Sequence, residues 1–363
     1  MRISSVTTYN IRNLKNQTVV TDSDYNILVG KNGQGKTNFL EALYIACYGN
    51  SFRKSLLKHT QTFGTSESFI KAVIETDREV LEVVFSLKNG KRNIHLQGKE
   101  IKDRKELIYT FPCIVFTHED IDFVQGTPQD VRKFYNQTLT LYDPLFLDDM
   151  RKYNHLIKQR NMALRERQLD LLDLYDLQAA EVGIEIVRKR EVLIKEFNEI
   201  FPASFTAVTG DDTAVSIQYQ PSWKRCGDRE EVLELLRKQR FQDLKYQMST
   251  SGPHRDRFYV VRDGDDYVAT ASTGQKRLVS LIMRSAQAAF YTKKTGMKPI
   301  LLLDDVLLEL DMERRGRFLE NSGGFSQAFF TFLPGETYFR EHGYRGNIFT
   351  VDKGCITADE KSI

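Results

Sequence analysis

Gly30-Lys31-Asn32-Gly33-Gln34-Gly35-Lys36-Thr37, GKNGQGKT, stands between two apolar segments of different period. Before it, Tyr25-Asn26-Ile27-Leu28-Val29 reads as a short buried strand; after it, Asn38 to Ala46 (NFLEALYIA) has helical periodicity. A glycine-rich loop between strand and helix is a phosphate-binding loop. Gly30, Gly33 and Gly35 reach backbone angles closed to other residues, so the loop N–H groups can turn inward around a polyphosphate at the positive end of the helix. Lys31, Asn32 and Gln34 complete the cradle, Lys36 reaches the outer phosphates, and the Thr37 hydroxyl reaches a magnesium ion.

Working outward, the first thirty residues alternate around Ile3, Val6 and Thr18-Val19-Val20 and read as a strand pair leading into the loop strand. Ser68 to Thr76, Glu79 to Leu87 and Lys91 to Leu96 alternate likewise, with Asn89-Gly90 a hairpin signal. Cys113-Ile114-Val115-Phe116 is a further apolar strand. Between 128 and 200 the apolar residues recur at helical spacing, and the reading is two long helices with a break near 165 to 170. Strands are expected at Phe205 to Thr209 and Ala214 to Tyr219, then a helix from Asp228 to Lys245. Arg257 to Arg262 and Tyr267 to Ala271 read as strands around Asp263-Gly264-Asp265, and a long helix runs from Gln275 to about Thr292. A last helix (Glu313 to Glu320) and strand (Gln327 to Phe332) follow.

Pro299-Ile300-Leu301-Leu302-Leu303 is an unbroken apolar run ending in Asp304-Asp305, as in a central parallel strand buried on both faces. In a P-loop protein such a strand lies beside the loop strand and its carboxylate holds magnesium. Asp304 takes that role and Asp305 orients or deprotonates the attacking water. Asp305 is one methylene shorter than Glu, which predicts slow turnover. Ser272-Thr273-Gly274-Gln275 opens the long helix, a capped helix start that is also an anion site. One chain seldom needs two γ-phosphate sites, so this stretch is expected to contact the nucleotide of a second copy, giving a head-to-tail dimer with composite sites. An ordinary capped helix is the alternative.

The order of P-loop, helical insertion, STGQ and ILLLDD resembles the ABC-type ATPases, including the SMC-like proteins. More closely, the chain resembles the RecF family of bacterial recombinational-repair proteins, through GKNGQGKTN, Ser51-Phe52-Arg53, Glu119 to Pro128 (EDIDFVQGTP), Tyr153 to Asn161, Ser251 to Asp256 (SGPHRD), STGQKR, Asp304-Asp305, Glu309-Leu310-Asp311 and Arg314-Arg315-Gly316. The resemblance implies an α/β ABC-type P-loop ATPase lobe built from both ends of the chain (1–127 and 247–363) with a helical lobe (128–246) inserted. It also implies an ATP- and Mg2+-dependent DNA-binding protein that dimerises on ATP, with weak DNA-stimulated ATPase activity. Its sites would be single-strand/duplex gaps, where it assists recombinase loading with the mediator proteins of its pathway and supports SOS induction. In this sequence no His follows the strand after Asp304, Leu308 precedes Glu309 where a small polar residue is usual, and Thr117-His118 replaces Ser-Pro. These departures bear on hydrolysis and inter-subunit signalling rather than nucleotide binding.

Other classes fit less well. An SMC-like structural ATPase needs arms of hundreds of heptad residues. A transporter cassette needs a shorter span before STGQ and the absent His, and a small-molecule kinase leaves STGQ without a task. The 363 residues suffice for two or three domains. No apolar run approaches a membrane span, the N-terminus lacks a signal-peptide core, and Cys47, Cys113, Cys226 and Cys355 have no metal or disulfide spacing. The expectation is a cytoplasmic protein with reduced, mostly buried thiols. A formal charge of +3 decides nothing about polyanions. His254 and Arg255 either position phosphate or DNA, or belong to a turn with Arg255 paired to Asp256. Arg53, Lys54 and Lys58 form either a DNA-facing surface or a solvated loop, and Trp223, beside Lys224 and Arg225, either stacks on a base or packs.

Overall fold

The computed structural model describes residues 1–224, 226–322, 324–335, 338 and 345–359; Arg225 and the Glu309 side chain lie outside that description. In chain order the elements are β1 (Arg2–Tyr9), β2 (Gln17–Val20), β3 (Tyr25–Val29), α1 (Lys36–Tyr48), β4 (Glu67–Glu75), β5 (Val80–Lys88), β6 (Lys91–Leu96), β7 (Lys99–Glu100), α2 (Lys105–Thr110) and β8 (Cys113–Phe116). A largely helical stretch follows: α3 (Asp122–Gln125), α4 (Pro128–Tyr142), α5 (Pro144–Glu166), α6 (Leu169–Phe197), α7 (Phe201–Thr209), β9 (Val215–Gln220), α8 (Arg229–Tyr246), β10 (Arg257–Arg262), β11 (Asp265–Asp266), α9 (Tyr267–Thr270) and α10 (Thr273–Thr295). The chain closes with β12 (Ile300–Leu303), α11 (Met312–Glu320), β13 (Gln327–Phe332), β14 (Asn347–Asp352) and β15 (Cys355–Ala358).

Two compact units result: Met1–His118 with Tyr291–Ile363, and Glu119–Phe290. The first is therefore built from both chain ends, with the helical unit inserted. This division differs from boundaries at 127/128 and 246/247, because the first part of α10 packs within the helical unit. There Arg284 is bonded through Nε and Nη2 to Asp120, and Gln287 donates to the Thr138 hydroxyl.

The first unit has two sheets that share a core with helix α1. An antiparallel sheet runs β2-β1-β4-β5-β6-β7, and a mostly parallel one β15-β14-β3-β13-β12-β8. Helix α1 is apolar on nearly every face, with Phe39, Leu40, Ala42, Leu43, Ile45, Ala46 and Cys47 all in the core that both sheets share. A helix apolar all round has to be enclosed. Gly49, at φ 61°, stops it and donates its N–H to Ile45 O.

Strand β12 is buried at all four residues and flanked by parallel β13 and β8, which explains its unbroken apolar run. It is not beside the loop strand: β13 pairs with both β12 and β3 and lies between them. The β1–β2 pair, in turn, belongs to the antiparallel sheet. Strands β14 and β15 complete the other edge and had no counterpart in the sequence reading.

In the second unit three helices replace the expected two. Pro144 cannot continue α4, and Asp143 caps α5 by accepting the N–H groups of Leu145 and Phe146. The break near 165 to 170 is present, with Arg167 in the left-handed region. The strand expected at 205 to 209 is the second half of α7: buried Phe201, Phe205 and Val208 recur at helical spacing, and Gly210 at φ 72° ends the helix. Its β-forming residues misled because packing overrode propensity. The strand expected at Tyr267 to Ala271 is helix α9, capped by Asp266, leaving β11 only two residues.

Trp223 is a packing residue, 1% exposed, with its ring edge-on to Tyr153 and its indole N–H donated to Ser251. All four thiols are free; Cys47 and Cys113 are buried, Cys226 and Cys355 partly exposed. No helix among the described residues is long and apolar enough to cross a membrane.

Candidate functional site

The loop from Gly30 to Thr37 leaves β3 and enters α1 as expected. Gly30 donates to Phe332 O, and a Cβ there would lie 2.4 Å from Val351 O, so β14 admits only glycine. Gly33 (φ 77°) and Gly35 (φ 119°) take left-handed angles. The loop is braced from outside: Asn13 Nδ2 donates to Gly33 O (3.1 Å), and Gln34 accepts the Lys353 N–H at its side-chain oxygen (2.6 Å) and the Gly354 N–H at its carbonyl (2.8 Å). The last two brace points lie in the β14–β15 turn. Sequence reasoning missed them, since they join residues more than 300 positions apart.

The loop opens on a cavity of about 330 Å³, lined among others by Lys31, Asn32, Lys36, Thr37, Arg53 and Asp305. Lys36 is 4% exposed and donates from Nζ to Gly30 O (2.7 Å) and Lys31 O (3.3 Å). The Thr37 hydroxyl donates to Asp304 Oδ1 at 2.8 Å, joining positions 267 residues apart. Burial pushes the Asp304 carboxyl above the usual range, against the pull of the Thr37 bond. Asp305 takes the left-handed region at φ 54°, and its Oδ2 lies 3.8 Å from Lys36 Nζ. The four residues expected to act on a nucleotide thus share one site.

A hydroxyl and a carboxylate facing each other offer only oxygen, the donor type magnesium takes. Among the described residues no group of three or more His, Cys, Asp or Glu gathers, so no all-protein metal cage competes with this pair.

Two further contributors went unrecognised in the sequence. Arg53, weighed there for a DNA-facing surface or a solvated loop, lines the cavity. It is 3.4 Å from Glu41, a fully buried carboxylate on α1 that also receives two bonds from Arg12 and one from Ser51. Lys54 and Lys58 remain exposed. Thr331 on β13 touches both Asp304 and Asp305. A polar residue inside the run Phe329-Phe330-Thr331-Phe332 was the available signal.

In the second unit Ser272, Thr273, Gly274 and Gln275 are all exposed. Gln275 Oε1 accepts the Ser272 N–H (2.8 Å) and Ser272 Oγ accepts the Gln275 N–H (3.3 Å), a reciprocal cap on α10. Nothing stands within 4 Å of where a Gly274 Cβ would be. The stretch is an ordinary cap and also an open surface.

The Gly252-to-Asp256 stretch is a turn, with the Arg255 N–H donated to Gly252 O, but the expected pair of Arg255 with Asp256 does not form. Asp256 is paired not with Arg255 but with buried Arg190 (2.6 Å), and it also accepts from Tyr219 and from the Ser222 N–H. Arg255 donates to Ser249 O. His254 sits between the Tyr153 hydroxyl at Nδ1 (2.9 Å) and Ser249 O at Nε2 (3.2 Å). These residues knit the helical unit together.

The profile of the RecF/RecN/SMC N terminal domain family matches residues 2–338. The chain is 44% identical to the DNA replication and repair protein RecF of Treponema pallidum (strain Nichols), over 96% of this chain and 99% of that protein. It superposes on the structure of the recombination mediator RecF-ATP in the RecFOR pathway with a TM-score of 0.88, at 28% identity, covering 98% of this chain and 97% of the other. The SmcHead bound to the C-winged helix domain of ScpA shares the fold at 13% identity, with a TM-score of 0.58 and coverage of 99% and 98%.

Proposed function

The chain belongs to the RecF family of DNA replication and repair proteins, and from that membership we propose an ATP-dependent DNA-binding protein of recombinational repair and replication restart. The observation carrying the reading is the 2.8 Å bond between Thr37 and Asp304, with Lys36 and Asp305 in the same site. A strand–loop–helix alone binds phosphate; the added pair of carboxylates suits hydrolysis.

In the proposed site the loop N–H groups from Gly30 to Thr37 hold the ATP phosphates, and Lys36 exchanges its carbonyl partners for the outer phosphates. Thr37 and Asp304 would hold magnesium, which when bound neutralises phosphate charge. Asp305 orients the attacking water and takes one of its protons, as the water oxygen bonds the γ-phosphorus and the bond to the departing ADP oxygen breaks. Ser272 to Gln275 of a second copy cap the nucleotide, so ATP joins two chains head to tail and hydrolysis releases them. The exposure of all four residues supports this. The dimer closes on DNA at single-strand/duplex gaps and acts with the mediator proteins of its pathway in recombinase loading, with SOS induction as the downstream consequence. The ATPase lobe comprises both chain ends and the helical lobe lies between them.

An SMC-like structural ATPase is disfavoured by helix length. The paired helices α5 and α6 have 23 and 29 residues, about 35 and 44 Å at the usual rise, and the chain turns back after each.

Sedimentation with no nucleotide, with ADP and with ATP plus magnesium, each with and without a gapped duplex, tests the proposal. A dimer that appears only with ATP, binds DNA and is lost in Lys36→Met and Ser272→Arg is the expected result. Persistent dimerisation of Ser272→Arg with ATP overturns the composite site, and a monomer throughout overturns the clamp.

A further inference from the structure

Thr331 lies on the fully buried strand β13, is 2% exposed, and is surrounded in sequence by phenylalanine. Its hydroxyl oxygen accepts the backbone N–H of Asp305 at 2.7 Å and lies 2.8 Å from the same residue's Oδ1. It is 3.3 Å from Asp304 Oδ1 and 3.5 Å from Leu303 O. A hydroxyl has one proton to give. Asp304 Oδ1 already receives the Thr37 proton at 2.8 Å, so the shorter approach assigns the Thr331 proton to Asp305.

One hydroxyl thus holds Asp305 at two points, its N–H and its carboxylate. It needs both. At φ 54° the residue is in a conformation that side-chain-bearing residues adopt at a cost, so something outside the local chain must hold it. The other carboxylate oxygen, Oδ2, faces Lys36 Nζ at 3.8 Å. Were the carboxylate released, it would close on that ammonium. Lysine would then be withdrawn from the phosphates and the carboxylate from the water.

We propose that Thr331 is a positioning residue for ATP hydrolysis: it anchors Asp305 through its N–H and Oδ1, leaving Oδ2 to the attacking water and Lys36 to the phosphates. This rests on the reading of Asp305 given above. It assigns a task to β13, the strand interposed between the loop strand and the acidic strand, where the sequence offers no histidine.

Thr331→Val keeps the shape and removes the hydroxyl; Thr331→Ser restores it. The test is single-turnover hydrolysis of saturating ATP on gapped duplex, alongside ATP affinity, for wild type, both variants, Asp305→Ala and the double variant Asp305→Ala/Thr331→Val. The expected result is a fall in rate of about tenfold or more in Thr331→Val with affinity changed less than threefold, and recovery to within about threefold in Thr331→Ser. The double variant matches Asp305→Ala alone, because residues acting through one another are not additive. A wild-type rate in Thr331→Val, or a double variant slower than Asp305→Ala, overturns the inference. A wild-type rate in Asp305→Ala overturns the role of Asp305 itself, and wild-type protein that binds no ATP overturns the nucleotide site.

Discussion

His254 makes the stability of the helical unit depend on pH, and the size of the effect follows from its surroundings. Ser249 O can only accept, so Nε2 carries the ring proton and Nδ1 accepts from the Tyr153 hydroxyl. A second proton at Nδ1 would displace that bond and place a positive charge in a buried pocket beside Arg255, Arg132 and Arg160. Burial first, and those arginines second, lower its pKa from 6.5 to about 4, while the bond to Ser249 pulls the other way. The unfolded chain takes up this proton near pH 6.5 and the folded chain only near 4. The unfolded state therefore binds more protons between these values, and stability drops as the pH is lowered across that window. The contribution is complete above pH 6.5. A shift of this size costs about 2 kcal/mol between pH 7 and pH 5, at about 1.4 kcal/mol per unit.

Urea denaturation followed by tryptophan fluorescence measures it, since Trp223 is the only tryptophan in the chain and packs edge-on against Tyr153. Wild type should lose about 2 kcal/mol more than His254→Gln on going from pH 7 to pH 5. Comparing the two proteins removes other titrating groups, including Asp304. Equal losses would refute the assignment of protons on His254.

Other consequences concern single atoms. Asp256→Ala strands the buried guanidinium of Arg190 and should cost about 3–5 kcal/mol in the same denaturation assay. Gly183→Ala sets a Cβ 2.5 Å from the Trp223 ring, and overpacking of this kind should destabilise the helical unit by about 1–3 kcal/mol and alter the Trp223 emission. Gly30→Ala brings a Cβ against the Val351 carbonyl and displaces the loop, so ATP affinity in a titration should fall at least about tenfold while the helical unit unfolds as before.

The nucleotide loop was legible because its chemistry is local: a buried strand, three permissive glycines and a helix start lie within a few residues of one another. The same holds for the cap at Ser272 and for most strands and long helices, whose periods are written in consecutive side chains. The breaks at Pro144 and Gly210 were written there too, yet the first was passed over and the strand formers around Phe205 outweighed the second. Asp304 and Asp305 could be picked out from the motif as candidates, but not their company. Thr331 reaches them only because β13 pairs between β12 and β3, and Arg53 enters the cavity only because buried Glu41 meets it across a loop. The partner of Asp256 was likewise undecidable from its neighbours: Arg255 is adjacent in sequence, while Arg190, 66 positions away, is the one buried with it. A buried charge has to find its counter-charge wherever packing brings one, and that choice belongs to the tertiary structure.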